Sequence, residues 1–248
     1  MELVGIVCLF LVAAGATAMQ FREKLLFKSV PPSSVSVRRA GDTLELECEA
    51  AGSPSPTIHW LFNDLRLPQG GSTQNEGADF EYTSSPAQMP SIRLGSARGK
   101  LYIDCLTPED EGTYVCVADT PTKRITSKTH VKLAGETDQD AVEKCISERV
   151  NRGTNARIYM STTTRLEYED RTVQLFCRTE GNPAPSVSWY DPDGQRIKQS
   201  KGQYLLLDNG DLVIKDIKWG RNMGAYTCKA DNGISSTTAS SFLYPTVA

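Results

Sequence analysis

Apolar residues recur at every second position through most of this chain, in short runs. In the first half, Leu44, Leu46 and Cys48 fall on one side of a run. Ile58, Trp60 and Phe62 do the same, followed by Leu101 and Ile103 and then by Val131 and Leu133. The second half repeats the order with Val173, Leu175 and Cys177, Val187 and Trp189, then Leu212 and Ile214, and Phe242 and Tyr244 end its last run. A period of two belongs to a β-strand with one buried side. GSPSP and GNPAP turn the chain after the first row of each half, and Asn209-Gly210 predicts a hairpin because both residues tolerate positive φ. Val35 and Val37, just after Pro31-Pro32, read as a proline-protected edge strand. Two successions of short strands predict an all-β chain of two sandwiches. Residues 135–157 break the pattern; they are polar and charged, and AVEKCISERV within them predicts a short helical turn.

The halves also repeat a spacing. Cys48 is followed twelve residues later by Trp60 and then by Cys116, and Cys177 is followed twelve residues later by Trp189 and then by Cys228. Tyr114 and Tyr226 each stand two residues before the closing cysteine. A bridge through the middle of a sandwich, an indole packed against it and a tyrosine at the corner make up the immunoglobulin pattern. The expected fold is therefore two tandem immunoglobulin-like β-sandwiches, with Trp60, Trp189, Tyr114 and Tyr226 in their cores.

The length of 248 residues accommodates two such modules with a leader and a linker. Leu3–Ala18 is uncharged and ends in Ala16-Thr17-Ala18, a small-x-small cleavage pattern, although no basic residue precedes it. The expected organisation is a signal peptide at 1–18, a first module at 19–134, a linker at 135–157 and a second module at 158–248. No later run is apolar and long enough to span a bilayer, and SSFLYPTVA lacks the tail of a lipid-anchor signal, so a secreted, extracellular protein without membrane insertion is expected. A net charge of −3 argues against nucleic acid or anionic membrane as a general partner. Lys215, Lys218 and Arg221, the nearest thing to a basic cluster, read as a solvated strand edge.

Of the seven cysteines, Cys8 leaves with the leader, and six remain for three bridges. With Cys48–Cys116 and Cys177–Cys228 set by the pattern, Cys105 is left with Cys145, which would pin the linker to the first module and limit the swing of the second. Free thiols or an intermolecular bond are the alternatives. The only histidines, His59 and His130, have the parity of solvated surface residues, and no catalytic, phosphate-binding or metal motif is present. The reading is of a non-enzyme without cofactors. Binding residues are sought among aromatics outside the cores. Phe80 and Tyr82 lie in the Gly- and Ser-rich stretch 68–90, and Trp219 is read either as a lid over the end of the core or as an exposed anchor.

Several segments resemble a known family. GSPSPTIHW, GNPAPSVSWY and LYIDCLTPEDEGTYVC resemble I-set immunoglobulin modules, and NGDLVIKDIKW with MGAYTC and FLYPT is similar to secreted two-immunoglobulin proteins, namely the nematode zwei-Ig (ZIG) proteins and the insect insulin-binding two-Ig protein. The zwei-Ig group also carries extra cysteines matching Cys105 and Cys145. The resemblance implies a recognition protein of the nervous system that keeps axons or neurons in position through an extracellular protein or cell-surface receptor. It implies, as the alternative, a soluble binder that sequesters insulin-like peptides. In one departure, the aspartate four residues before the corner tyrosine is present as Asp110 but replaced by Asn222, so the bracing ion pair is not expected in the second module.

Overall fold

The computed structural model describes residues 24–37, 39–70, 92–135, 138–199 and 202–247. The predicted leader and the aromatics Phe80 and Tyr82 lie outside these residues. The first module contains β1 (Lys24–Ser29), β2 (Ser34–Val37), β3 (Leu44–Ser53), β4 (Thr57–Phe62), β5 (Leu65–Arg66), β6 (Leu94–Ile103), β7 (Gly112–Asp119) and β8 (Arg124–Leu133). Helix α1 (Gln139–Arg152) leads into β9 (Thr154–Tyr168). The second module continues with β10 (Val173–Leu175), β11 (Cys177–Asn182), β12 (Ser186–Tyr190), β13 (Tyr204–Leu206), β14 (Leu212–Ile214), the short helix α2 (Trp219–Asn222), β15 (Gly224–Asp231) and β16 (Ser236–Thr246).

Each module packs two sheets around a bridge and an indole. In the first, Leu46, Cys48, Trp60, Leu101, Leu106, Tyr114 and Cys116 meet in one core. In the second, Val173, Leu175, Cys177, Trp189, Leu212, Ile214, Tyr226 and Cys228 do so. The cysteines are joined as Cys48–Cys116, Cys177–Cys228 and Cys105–Cys145. Each corner tyrosine donates back to the carbonyl four residues earlier, Tyr114 to Asp110 at 2.9 Å and Tyr226 to Asn222 at 3.3 Å. The replacement of aspartate does not leave the second corner unbraced. Asn222 is fully buried, and its side-chain oxygen accepts from the Lys218 amide at 2.9 Å, as Asp110 accepts from the Thr107 amide at 2.8 Å. A neutral amide oxygen performs the turn-capping task without an ion pair.

The linker differs from expectation. It forms not one turn but a 14-residue helix, begun by Asp138, whose side chain accepts from the Ala141 amide, and ended at Gly153 with φ +82°. A side chain at Gly153 would collide with the Asn182 carbonyl, so the sharp exit into β9 requires glycine. The exit sends β9 back along the first module. There β9 pairs antiparallel with β6, from Leu94 opposite Leu166 to Gly99 opposite Met160. The same strand pairs with β11 and, in parallel, with β16. One eight-stranded sheet therefore runs through both modules in the order β1-β3-β6-β9-β16-β15-β12, with β11 beside β9.

Candidate functional site

The seam between the modules is built from residues that a free sandwich would expose. Met160 and Phe176 belong to the second module, but both are buried in the core cluster of the first, at 2% and 1% exposure. The Ile58 amide approaches the Met160 sulfur at 3.4 Å. Full burial of such side chains contributes about 1.5–3 kcal/mol each. Gly99 of β6 leaves room for the Ile58 side chain beside this contact, since a Cβ there would collide with it.

Buried polar groups fix the register. Arg165 and Glu167 are each 1% exposed and pair at 3.2 Å. Glu167 also accepts from the amides of Ile92 and Arg93 at 2.9 and 3.0 Å, and Arg165 donates to the Leu94 carbonyl at 3.2 Å. Burying two charges is costly unless their remaining hydrogen-bonding capacity is met. Here backbone groups of the first module meet it, so separating the modules would strand both charges. A second lock sits at Asp104, which accepts two hydrogen bonds from Arg157 at 2.7 Å each and one from Thr43 at 2.9 Å, with Arg149 of α1 at 3.5 Å. The Arg157 guanidinium also lies 4.4 Å from the centre of the Tyr102 ring. Burial alone would raise the Asp104 pKa, but the hydrogen bonds and charge of Arg157 outweigh it and hold the carboxyl below its usual range. The Cys105–Cys145 bridge pins α1 beside this lock, and the seam itself supplies the restraint on the second module that the sequence assigns to the bridge.

An apolar patch crosses the seam on the outer face of the joined sheet. Register places Leu94 opposite Leu166, Leu166 opposite Tyr244 and Thr164 opposite Phe242. Trp219 packs edge-on against Tyr244, with ring centroids 5.0 Å apart. Trp219, Phe242 and Tyr244 are 45%, 42% and 41% exposed, and Leu94 and Met223 are exposed as well. Trp219 is thus no lid over the core. It stands outside, where its backbone N–H donates to Glu169 at 2.6 Å. Lys218 pairs with Asp170 at 2.8 Å, so charged groups border the aromatic centre. An apolar centre with a polar rim is the anatomy of a protein-binding surface. Lys218 in this pair and Arg221, donating to the Asp216 carbonyl, form no basic cluster with Lys215.

A cleft of about 850 Å³ also opens between the modules, lined in part by His59, Arg66, Tyr159, Arg178 and Glu180. Burial raises the pKa of Glu180, partly offset by Arg157. His59 points away from the core as expected, but it is not solvated; it lies 3.4 Å from Asp119 with a largely covered side chain. His130 is exposed, 3.5 Å from the Thr113 hydroxyl. Among the described residues no helix is long and apolar enough to cross a membrane. Sequence reasoning singled out Trp219 but missed Phe242 and Tyr244 as its neighbours, because alternation pairs them without saying which face they take.

Comparison with known proteins agrees with this architecture. The immunoglobulin domain model matches residues 28–119, and the immunoglobulin I-set domain model matches residues 162–244. The Caenorhabditis elegans Zwei Ig domain protein zig-4 is 31% identical over 88% of this chain and 79% of its own length. The Drosophila melanogaster neural/ectodermal development factor IMP-L2 is 30% identical over 89% of this chain and 76% of its own length. The crystal structure of neural ectodermal development factor IMP-L2 superposes with a TM-score of 0.67, at 26% identity, over 91% of this chain and 96% of that one. Neither module alone is half of the chain, so one superposed sandwich could not reach that score; the side-by-side arrangement is shared. By sequence and by the placement of its two modules, the chain belongs to the family of two-immunoglobulin proteins that includes the zwei-Ig proteins and IMP-L2.

Proposed function

We propose that this protein is a secreted recognition factor of the nervous system that maintains axon or neuron position by binding an extracellular or cell-surface protein. It acts without catalysis and without a cofactor. The observation that carries the reading is the aromatic patch around Trp219, Phe242 and Tyr244, which spans a seam that holds both modules rigid. A surface fixed before binding loses little conformational freedom on association, so its aromatic anchors act at full strength. Relatives that include a neural/ectodermal development factor support the tissue assignment. The test is surface staining of neurons with tagged protein, together with loss-of-function animals. Staining that Trp219→Ala abolishes, and axons that wire correctly and drift later, are expected. Staining unchanged by Trp219→Ala would refute the role of the patch, and normal axon position in the mutant animals would refute the function.

A second reading is a soluble binder of insulin-like peptides. It is favoured by the arrangement shared with IMP-L2, together with the insulin binding that the sequence resemblance implies. Submicromolar binding to one member of a panel of insulin-like peptides, without neuronal staining, would replace the first reading with this one.

A further inference from the structure

The two broad faces of the first module treat their charges differently. On the face of β1, β3 and β6, cations stand against carboxylates: Lys28 against Glu49, Arg98 against Glu47 and Glu49, and Lys100 against Glu45 and Glu47, all within 3.3 Å. On the opposite sheet, alternate residues of β8 point outward, and these are Arg124, Thr126, Lys128, His130 and Lys132, all exposed. Arg124 is held by Asp119 at 2.6 and 3.0 Å. Lys128 and Lys132 have no ion pair among the described residues. Val115 faces Lys128, Thr113 and Ser34 face His130, and Ser36 faces Lys132, with Glu111 just beyond the Gly112–Val131 pair on the Lys132 side. The carboxylates near this sheet are engaged, Asp119 by Arg124 and His59, and Glu111 by the backbone amide of Leu133. At the far end of β8, Lys24, Lys123 and Arg124 line a shallow notch. At about 3.4 Å per residue, the strip from Arg124 to Lys132 is about 27 Å long.

We propose that this strip binds a sulfated polysaccharide. The ligand must be a polyanion, because Lys128 and Lys132 present positive charge that no ion pair among the described residues takes up. An extended chain fits a straight, exposed strand, and the hydroxyls of Ser34, Ser36, Thr113 and Thr126 add donors for sulfate oxygens along its length. The outward row of β8 offers no Phe, Tyr or Trp on which a nucleic-acid base could stack and no apolar residue to enter a bilayer. The net charge of −3 restricts the attraction to this face. The strip lies on the first module, on strands that take no part in the seam patch, so both sites operate independently. A secreted factor held this way would stay in the matrix near the cells that release it.

The test uses the full-length protein and heparin oligosaccharides of defined length, titrated at several salt concentrations. Wild-type protein is expected to bind with a clear salt dependence. Lys128→Gln/Lys132→Gln is expected to weaken binding about tenfold or more and to flatten the salt slope by about one to two. Lys128→Arg/Lys132→Arg should retain binding, and Lys215→Gln/Arg221→Gln in the second module should leave it unchanged. Circular dichroism of each variant separates lost binding from lost folding. Undiminished binding by the Gln pair, equal binding to desulfated heparin, or a preference for phosphatidylserine vesicles or an acidic peptide would overturn the assignment.

Discussion

Met160→Ala tests whether the two modules form one folding unit. Met160 is almost fully buried, receives the Ile58 amide and lies in the first module's core cluster although β9 opens the second module. Replacing a buried methionine by alanine costs about 2–5 kcal/mol, from lost transfer energy plus the cavity left behind. Relaxation of β9 would place the value at the lower end. Chemical denaturation followed by fluorescence should show one cooperative transition, shifted as a whole by the substitution. Solution scattering provides the second readout with Met160→Asp, which brings an unpaired charge into the seam. A compact chain of this length has a radius of gyration of about 18 Å. Two sandwiches about 34 Å long placed end to end would give about 21 Å or more. The wild type should match the smaller value, and Met160→Asp should move toward the larger. Two separated transitions in the wild type, with the first module's indifferent to Met160→Ala, would refute the argument.

Asp104→Asn should cost about 3 kcal/mol, because it leaves Arg157 half-buried without its carboxylate. It should also alter the acid limb. The folded pKa of Asp104 lies below its unfolded value of about 3.9, so its contribution is complete above about pH 4 and is lost as pH falls through the folded pKa. Urea midpoints measured from pH 7 to pH 2 should therefore fall less steeply in Asp104→Asn than in the wild type. Asn222→Ala removes the acceptor for the Lys218 amide and should cost about 1–3 kcal/mol in thermal unfolding, whereas Asn222→Asp should cost less than half as much. Cys145→Ser should lower stability by about 4 kcal/mol for a loop of 40 residues, yet leave the radius of gyration unchanged, because β6 and β9 remain paired.

The sandwiches are legible in the sequence because bridge, indole and corner tyrosine must share one geometry, and three residue types agree at fixed spacing in both halves. The full length of the helix is not, because Val142 is its only buried residue. Most of its stability comes from the Asp138 cap and the bridge rather than from an apolar stripe. The seam is illegible for a different reason. Backbone pairing between β6 and β9 uses groups that every residue carries, and Met160 is as apolar on a surface as in a core. Gly70 and Gly95 approach Tyr159 and Thr164 too closely for a side chain, but a lone glycine in a strand is equally at home in a bulge or a tight bend. Trp219 illustrates the same limit, since only the fold decides whether an indole near a turn packs inward or stands against Tyr244.

The strand that opens the second module also closes a vulnerability of the first. Without β9, the flank of β6 would present a row of bare N–H and C=O groups, the template on which sandwiches polymerise. Neither half is then a cassette that recombination could lift into another protein unaltered. Severed at the helix, the amino-terminal piece would tend to recruit a foreign strand, and the pair must be inherited, folded and degraded as one object.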